Sequence, residues 1–311
     1  YGAGADVTSN SNVFVGRSCG NSVTTGSGHV SMGAYALSTI TSNSNCTAIG
    51  YKSLQDATGG QNTAVGYESA AETSTGYSNV AIGYHALYAN TGGYEQVAVG
   101  YEALHDVTTG QGNTAIGHQA LRLVTTSQFN TGCGEWAGQD VTSGQNNLML
   151  GYASGSSASP SGSIDNESNV VCLGNNSITS SYIKVDWTVT SDRRDKTDIE
   201  PFNHGLSWIN KLNPVTYRWD NRSDYEDGVP DGSKKGTQLN VGLIAQDELE
   251  VEKEHGYGDS PDNMLVTDVN EDGNYGMQYS KLVPILINAV KELSAKVEEL
   301  ESNSGGTSGS S

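Results

Sequence analysis

Along the first half of this chain an apolar residue followed by glycine returns at a fixed interval. The steps are Val15–Gly16, Met32–Gly33, Ile49–Gly50, Val65–Gly66, Ile82–Gly83, Val99–Gly100, Ile116–Gly117, Cys133–Gly134 and Leu150–Gly151. The interval is seventeen residues, with one slip to sixteen between Gly50 and Gly66. A short fixed period implies stacked, equivalent turns of chain. Aligned on the glycine, the unit reads Asn-x-Ala-(Ile/Val)-Gly-Tyr-x-Ala-Leu, then a polar stretch, then a turn residue. Seven residues before the core glycine stand Gly26, Asn43, Gly59, Gly76, Gly93, Gly110, Ser127 and Gly144, which predicts a turn with positive φ there. Four residues before it stand Asn12, Asn62, Asn79, Asn113, Asn130 and Asn147, which predicts an asparagine ladder, each amide bonding the copies above and below. The pattern predicts a β-solenoid or β-roll of 17-residue repeats over residues 1–152, with coils about 4.8 Å apart.

Past Gly151 the period fails. Residues 153–190 read as a small-residue loop, Ser154–Ser163, followed by a last apolar–glycine step at Leu173–Gly174 and closing strands over 178–190. Residues 191–280 have the mixed composition of an ordinary α/β domain. At the far end Val283, Leu286, Val290, Leu293, Val297 and Leu300 follow 3-4-3-4-3 spacing, the seam of a coiled coil over 281–301. Pro284 fits only a first turn, so the helix is expected to start near Ser280. A Ser/Gly tail, 302–311, is expected to be disordered.

Composition refines this picture. Glycine accounts for 39 of 311 residues and phenylalanine for three, so the core is expected to be a thin column of Val, Ile and Ala. Net charge is −19, divided as −8 (12 acidic, 4 basic) before residue 191 and −11 (23 acidic, 12 basic) after it. Such a chain repels nucleic acid and anionic membranes, and no apolar run approaches the ~18 residues that span a bilayer. Cys19, Cys46, Cys133 and Cys172 lack metal-ligand spacing and read as small buried thiols. The six histidines make no cluster. Asp268–Gly273 matches the first half of a calcium loop, but Tyr279 stands at the twelfth position, so a polar turn between two short strands is expected. No metal and no cofactor are expected.

The motifs Asn62–Gly66, Asn79–Gly83 and Asn113–Gly117 resemble the head repeats of trimeric autotransporter adhesins and repeats of phage tail fibres. That resemblance implies a homotrimer. At residue 191 composition changes abruptly. Ser191-Asp192-Arg193-Arg194-Asp195-Lys196, Pro214–Trp219, Gly242–Gln246 and Tyr279 with Leu282 resemble, in order, the endosialidase-type intramolecular chaperone domain of phage tailspikes and tail fibres. The resemblance implies that the domain assembles the fibre and then releases itself, with Ser191 as nucleophile and Lys196 as its base. A lysine amine acts as a base only when neutral, so its ordinary value of about 10.4 must fall; burial and Arg193 and Arg194, with Asp192 the candidate modulators, are expected to tune it. Five residues apart is off-face on a helix and opposite-face on a strand, so a turn must bring the pair together. Attack within one chain passes through a five-membered ring onto the Thr190 carbonyl, whereas a neighbour's serine reaches either flanking bond.

The sequence thus reads as a fragment of a phage tail fibre or tailspike. Its partners would be a host cell-surface glycan or protein receptor and, through a missing N-terminal region, the virion tail or baseplate. Tyr51, Tyr67, Tyr84 and Tyr101 follow the core glycine and are candidate glycan contacts; the alternative is that they stack on one another or cover a seam between chains. A bacterial trimeric surface adhesin, with a C-terminal trimerisation cap and no cleavage, is the second reading. A glycan-cleaving tailspike is disfavoured, since no carboxylates pair in register.

Overall fold

A computed structural model describes residues 2–4, 7–270 and 273–304. The chain divides into two compact units, Tyr1–Ser181 and Tyr182–Ser311, so the division falls earlier than the composition step at residue 191.

In the first unit ten three-residue strands stack in chain order: β1 (Val13–Val15), β2 (Val30–Met32), β3 (Thr47–Ile49), β4 (Thr63–Val65), β5 (Val80–Ile82), β6 (Val97–Val99), β7 (Thr114–Ile116), β8 (Thr131–Cys133), β9 (Leu148–Leu150) and β10 (Val171–Leu173). All pair in parallel, with Ala81 opposite Ala98 and Ala98 opposite Ala115, so the sequence repeat maps each coil onto the next. The fold is the expected β-solenoid. It runs one coil past residue 152, because β10 pairs with β9 across a longer excursion that contains Ser154–Ser163.

The middle residue of each strand points inward. Ala48, Ala64, Ala81, Ala98 and Ala115 are fully buried, and Leu37, Leu54, Leu87, Leu104 and Leu121 fill the column beside them. The residues before the core glycine, expected inside, face out: Val15, Met32, Ile49, Ile82, Ile116 and Leu150 are exposed. Side chains alternate along a strand, so an inward alanine sends both its neighbours outward. Cys133 occupies that outward slot and is exposed, correcting the buried-thiol expectation, while Cys19, Cys46 and Cys172 are buried.

The core glycines carry the left-handed backbone. At Gly100, φ is +140° and an added Cβ would lie 2.3 Å from the carbonyl oxygen of Gly117 in the next coil. The turn glycines do not have positive φ. Non-glycine residues such as Asn45, Gln61, Ser78 and Glu95 take it instead, because backbone bonds to neighbouring coils hold them there.

The asparagine ladder is present but bonds differently. Asn62 Oδ1 accepts from the Asn79 backbone N–H (3.0 Å), and Asn62 Nδ2 donates to the Gly76 carbonyl (2.9 Å). Each amide thus satisfies backbone groups of the next coil, not the amide above it. Gln96 takes the same role between Asn79 and Asn113. His29 does so lower down: its Nδ1 accepts from Cys46 N–H and its Nε2 donates to the Asn43 carbonyl. Burial pushes the His29 imidazole below its ordinary value, which favours the neutral form that this pairing needs.

Residues 178–190, expected as closing strands, form none. Tyr182, Val185, Trp187 and Val189 are exposed, and the alternating pattern finds no partner strand among the described residues.

The second unit contains α1 (Leu206–Ile209), β11 (Val215–Tyr217), β12 (Asn240–Gly242), α2 (Ala245–Glu254), β13 (Thr267–Val269), β14 (Tyr275–Met277) and α3 (Leu282–Ser304). The strands pair antiparallel, β11 with β12 and β13 with β14. The calcium-loop look-alike is the β13–β14 turn, of which residues 271 and 272 lie outside the described residues. Trp208, Val251, Val266, Leu282 and Ile285 form the core. A 3-10 turn, Tyr279–Lys281, precedes α3, which starts two residues later than expected and runs through residue 304; the tail expected to be disordered is helical over 302–304, and 305–311 lie outside the described residues. Among the described residues no helix is long and apolar enough to cross a membrane.

Two buried carboxylates hold this unit together. Glu252 accepts from the backbone N–H groups of Leu265, Val266 and Thr267 (3.1, 2.6 and 2.7 Å) and so ties α2 to β13. One turn earlier, Glu248 accepts from Trp208 Nε1 at 2.8 Å, and its second oxygen has no partner among the described residues. Burial pushes the Glu248 carboxyl up to about 7, with the charge of Glu252 adding to this and the Trp208 bond opposing it. A carboxyl raised in the folded state binds its proton more tightly there than in the unfolded chain. Stability from this group is therefore full below the ordinary glutamate value and falls as pH rises toward about 7. We expect Glu248→Gln to remove that slope and to stabilise the unit at pH 8 by on the order of 1–3 kcal/mol. Urea unfolding followed by tryptophan fluorescence at pH 5 and pH 8 measures it; equal pH slopes in the two proteins would contradict the assignment.

Candidate functional site

Ser191 and Lys196 come together through a single 3-10 turn, Arg193–Asp195. Asp192 caps it: its carboxylate accepts from the Arg194 backbone N–H at 2.9 Å. The turn closes where Lys196 N–H donates to the Arg193 carbonyl, and Lys196 leaves in an extended conformation (φ −123°, ψ 137°). That reversal returns the lysine side chain to the serine, and Lys196 Nζ donates to Ser191 Oγ at 2.5 Å. A five-residue spacing that fits neither a helix face nor a strand face is thus brought into contact by the turn.

The modulators divide. Arg194 closes on Asp192 in a forked pair, Nη2–Oδ2 2.7 Å and Nε–Oδ1 3.1 Å. The Arg194 side-chain bond holds the Asp192 carboxyl below its ordinary value, and Asp192 holds Arg194 above its own. Arg194 is therefore committed to the cap. Arg193 supplies the carbonyl that ends the turn. The burial expected for the dyad is not provided within the chain: Thr190, Ser191 and Lys196 are all exposed.

The motifs that accompany the dyad also meet. The hydroxyl of Tyr279 accepts from Leu243 N–H at 2.9 Å, beside Gly242, where a Cβ would lie 2.7 Å from that hydroxyl. Pro214–Trp219 provides β11, whose partner β12 leads into Gly242–Gln246 and α2.

On the solenoid, Tyr51, Tyr67, Tyr84 and Tyr101 form one column, with ring centroids 5.3, 5.4 and 5.1 Å apart. His118, Trp136 and Tyr152 extend it. Each ring face is used by the next ring, so edges and hydroxyls are what this column offers to a ligand. The histidines are less isolated than expected. His85 bonds Glu68 (3.0 Å), stacks on Tyr84 and lies 5.8 Å from the His105 ring; His204 and His255 meet beside Trp208. The Glu68, His105 and His204–His255 pairings join residues seventeen or more apart, which only the register of the coils or the tertiary fold reveals. Among the described residues no group of side chains is placed to hold a metal ion.

No curated protein and no solved structure matches the chain. Residues 191–257 match the family model, from a peptidase family, described as chaperone of endosialidase, and the match begins at Ser191, the first member of the Ser–Lys pair.

Proposed function

We propose that the chain is a phage tail-fibre or tailspike segment in which residues 1–190 form a trimeric shaft or receptor-binding tip. Residues 191–311 are its intramolecular chaperone, which sets the register of three chains and then releases itself at Ser191. The observation that carries this reading is the 2.5 Å contact between Lys196 Nζ and Ser191 Oγ at the start of the family match. In the reactive form neutral Lys196 takes the hydroxyl proton, and Oγ attacks the carbonyl carbon of Thr190. The C–N bond breaks, the Ser191 nitrogen leaves as an amine with the proton returned by Lys196, and water hydrolyses the resulting ester. A neighbouring copy supplies the burial that one chain lacks.

Two exposed apolar stripes support self-association. Val283, Leu286, Val290, Leu293, Val297 and Leu300 on α3 are between 45% and 68% exposed. Separately, Val13, Val15, Val30, Met32, Ile49, Ile82 and Ile116 line the outer face of the solenoid sheet. A contiguous apolar face of this length marks an interface. Only a surface with the same coil spacing matches it along its length, and a second copy has that spacing. Valine at a and leucine at d by themselves favour two strands; the count of three comes from the resemblance.

Mass spectrometry of the purified chain tests both parts. Under denaturing conditions two fragments meeting at residue 190 or 191 are expected, and under native conditions an assembly of three solenoid portions. A single denatured mass of 32.6 kDa would leave the domain a permanent cap, as in a surface adhesin without cleavage.

A further inference from the structure

The single sixteen-residue coil leaves a notch among the seventeen-residue coils, and the equivalences between coils locate the missing residue. In several coils successive N–H groups converge on one carbonyl of the next coil, and the residue after the first threonine or serine takes part: Thr24, Thr25 and Gly26 on Thr41, Ser74 and Thr75 on Thr91, and Thr91, Gly92 and Gly93 on Thr108. In the short coil only Thr58 and Gly59 converge on Ser74. Counted forward from the core glycine Thr58 matches Thr41 and Ser74, and counted back from the next one Gly59 matches Asn43 and Gly76, so the absent residue belongs between Thr58 and Gly59, where Ser42 stands in the coil before and Thr75 in the coil after. Among the described residues no backbone N–H of Thr41, Ser42 or Asn43 reaches Thr58. The Asn43 side-chain amide bonds the Thr58 carbonyl instead.

At this position the surface opens into a recess of about 480 Å³, lined among others by Ser42, Asn43, Asn45, Gln61, Thr75 and Tyr77, with no charged side chain in its wall. Tyr77 stacks on Tyr94 with ring centroids 4.9 Å apart and planes 2° from parallel. In register on its other side stands Gly60, whose carbonyl accepts from Ser78 N–H and which has no side chain to cover the ring. One face of Tyr77 is therefore bare at the notch.

We propose that this notch binds a neutral saccharide, an inference that rests on the receptor-recognition reading above and names its ligand class. A bare aromatic face fits the apolar face of a pyranose. Side-chain amides and hydroxyls, which both donate and accept, fit its hydroxyl groups. The uncharged wall gives an anionic glycan no cation to pair with, and the net −8 of residues 1–190 repels it.

The test uses the full chain and an array of neutral hexose and N-acetylhexosamine oligosaccharides. One variant carries a threonine inserted between Thr58 and Gly59, which restores the seventeen-residue coil and fills the notch. The parent is expected to bind at least one oligosaccharide, and the insertion to abolish that binding with the circular dichroism spectrum and native mass unchanged. Tyr77→Ala, which fills nothing, is expected to weaken binding about tenfold; it decides the matter if the insertion fails to fold. Unchanged affinity in the folded insertion variant, or in Tyr77→Ala, would overturn the notch while leaving glycan recognition by the fibre in place. A parent that binds no member of the array would overturn the neutral-saccharide assignment itself. Neither result bears on cleavage at Ser191, which is read from mass alone.

Discussion

Ser191→Ala is expected to leave the chain at its full mass under conditions in which the parent separates into two pieces. In the proposed reaction the serine oxygen is the attacking atom, and alanine offers none. Lys196→Arg should be almost as severe: a guanidinium could reach the same place yet does not give up its proton in a protein, so the serine loses its base. Removing a positioned base costs roughly 10²–10⁴ in rate. Asp192→Ala should slow the reaction less, since it removes the cap of the turn and frees Arg194 without touching the reacting atoms. Time courses of denatured mass follow all four proteins. An Ser191→Ala variant that still splits at residue 190 or 191 would end the dyad assignment, and an Lys196→Arg variant with parental rate would end the role of the lysine.

The solenoid gives a physical reason for the discarded chaperone proposed above. Each coil pairs residue for residue with the next, and the outward faces repeat at the same spacing. Chains associating through such faces lose little by slipping one repeat, so register must be imposed from an end. A domain that associates first through α3 would impose it, and its loss afterwards would leave the fibre behind its unfolding barrier. The short coil, the longer excursion before β10, and the replacements His29, Cys46 and Gln96 in the asparagine column are among the places where the repeat is not self-similar, and they penalise a slip locally.

Much of this was legible in the sequence for one reason: a period is a statement about three-dimensional equivalence. The seventeen-residue spacing of Gly66, Gly83 and Gly100 fixed which residues meet between coils, hence the parallel stack and the tyrosine column. It could not say which side of a three-residue strand faces in. Ile82 and Ala81 are both apolar and adjacent, so alternation along the strand puts one inside and the other outside, and only the path of the neighbouring turns decides that Ala81 is the buried one. Nor could it show that Asn62 bonds backbone groups, since that depends on where the next turn carries its carbonyl. In the second unit the ordered motifs around Ser191 and Gly242 were visible, whereas Glu248 and Glu252 were not. Their burial follows from α2 turning that face onto Trp208 and β13, and on a helix of glutamates every face looks alike. The failed strand over 178–190 has the right alternation and, among the described residues, no neighbouring strand with which to pair.

The glycine column sets the second large effect. Gly100→Ala is expected to open the stack, and Gly92→Ala, eight residues earlier, to do almost nothing. At Gly100 the backbone sits at φ +140°, which an alanine reaches only at a cost of about 1–3 kcal/mol. Its Cβ would also lie 2.3 Å from the Gly117 carbonyl oxygen, a backbone atom that cannot move without displacing the next coil. The two together should exceed about 3 kcal/mol. At Gly92 φ is not in the left-handed region, and the nearest atoms to an added Cβ are side-chain atoms of Thr75 and Thr109 at 3.6 and 3.8 Å, so the change should stay within about 0.5 kcal/mol. In a linear array stability is a sum over coils and their interfaces. A fault at Gly100 should therefore appear first as loss of amide-exchange protection in the coils that contain β6 and β7, before any change in the second unit. Equal protection in the two variants would mean that the coils can separate by several tenths of an ångström without penalty, and that the glycine column is not what sets their spacing.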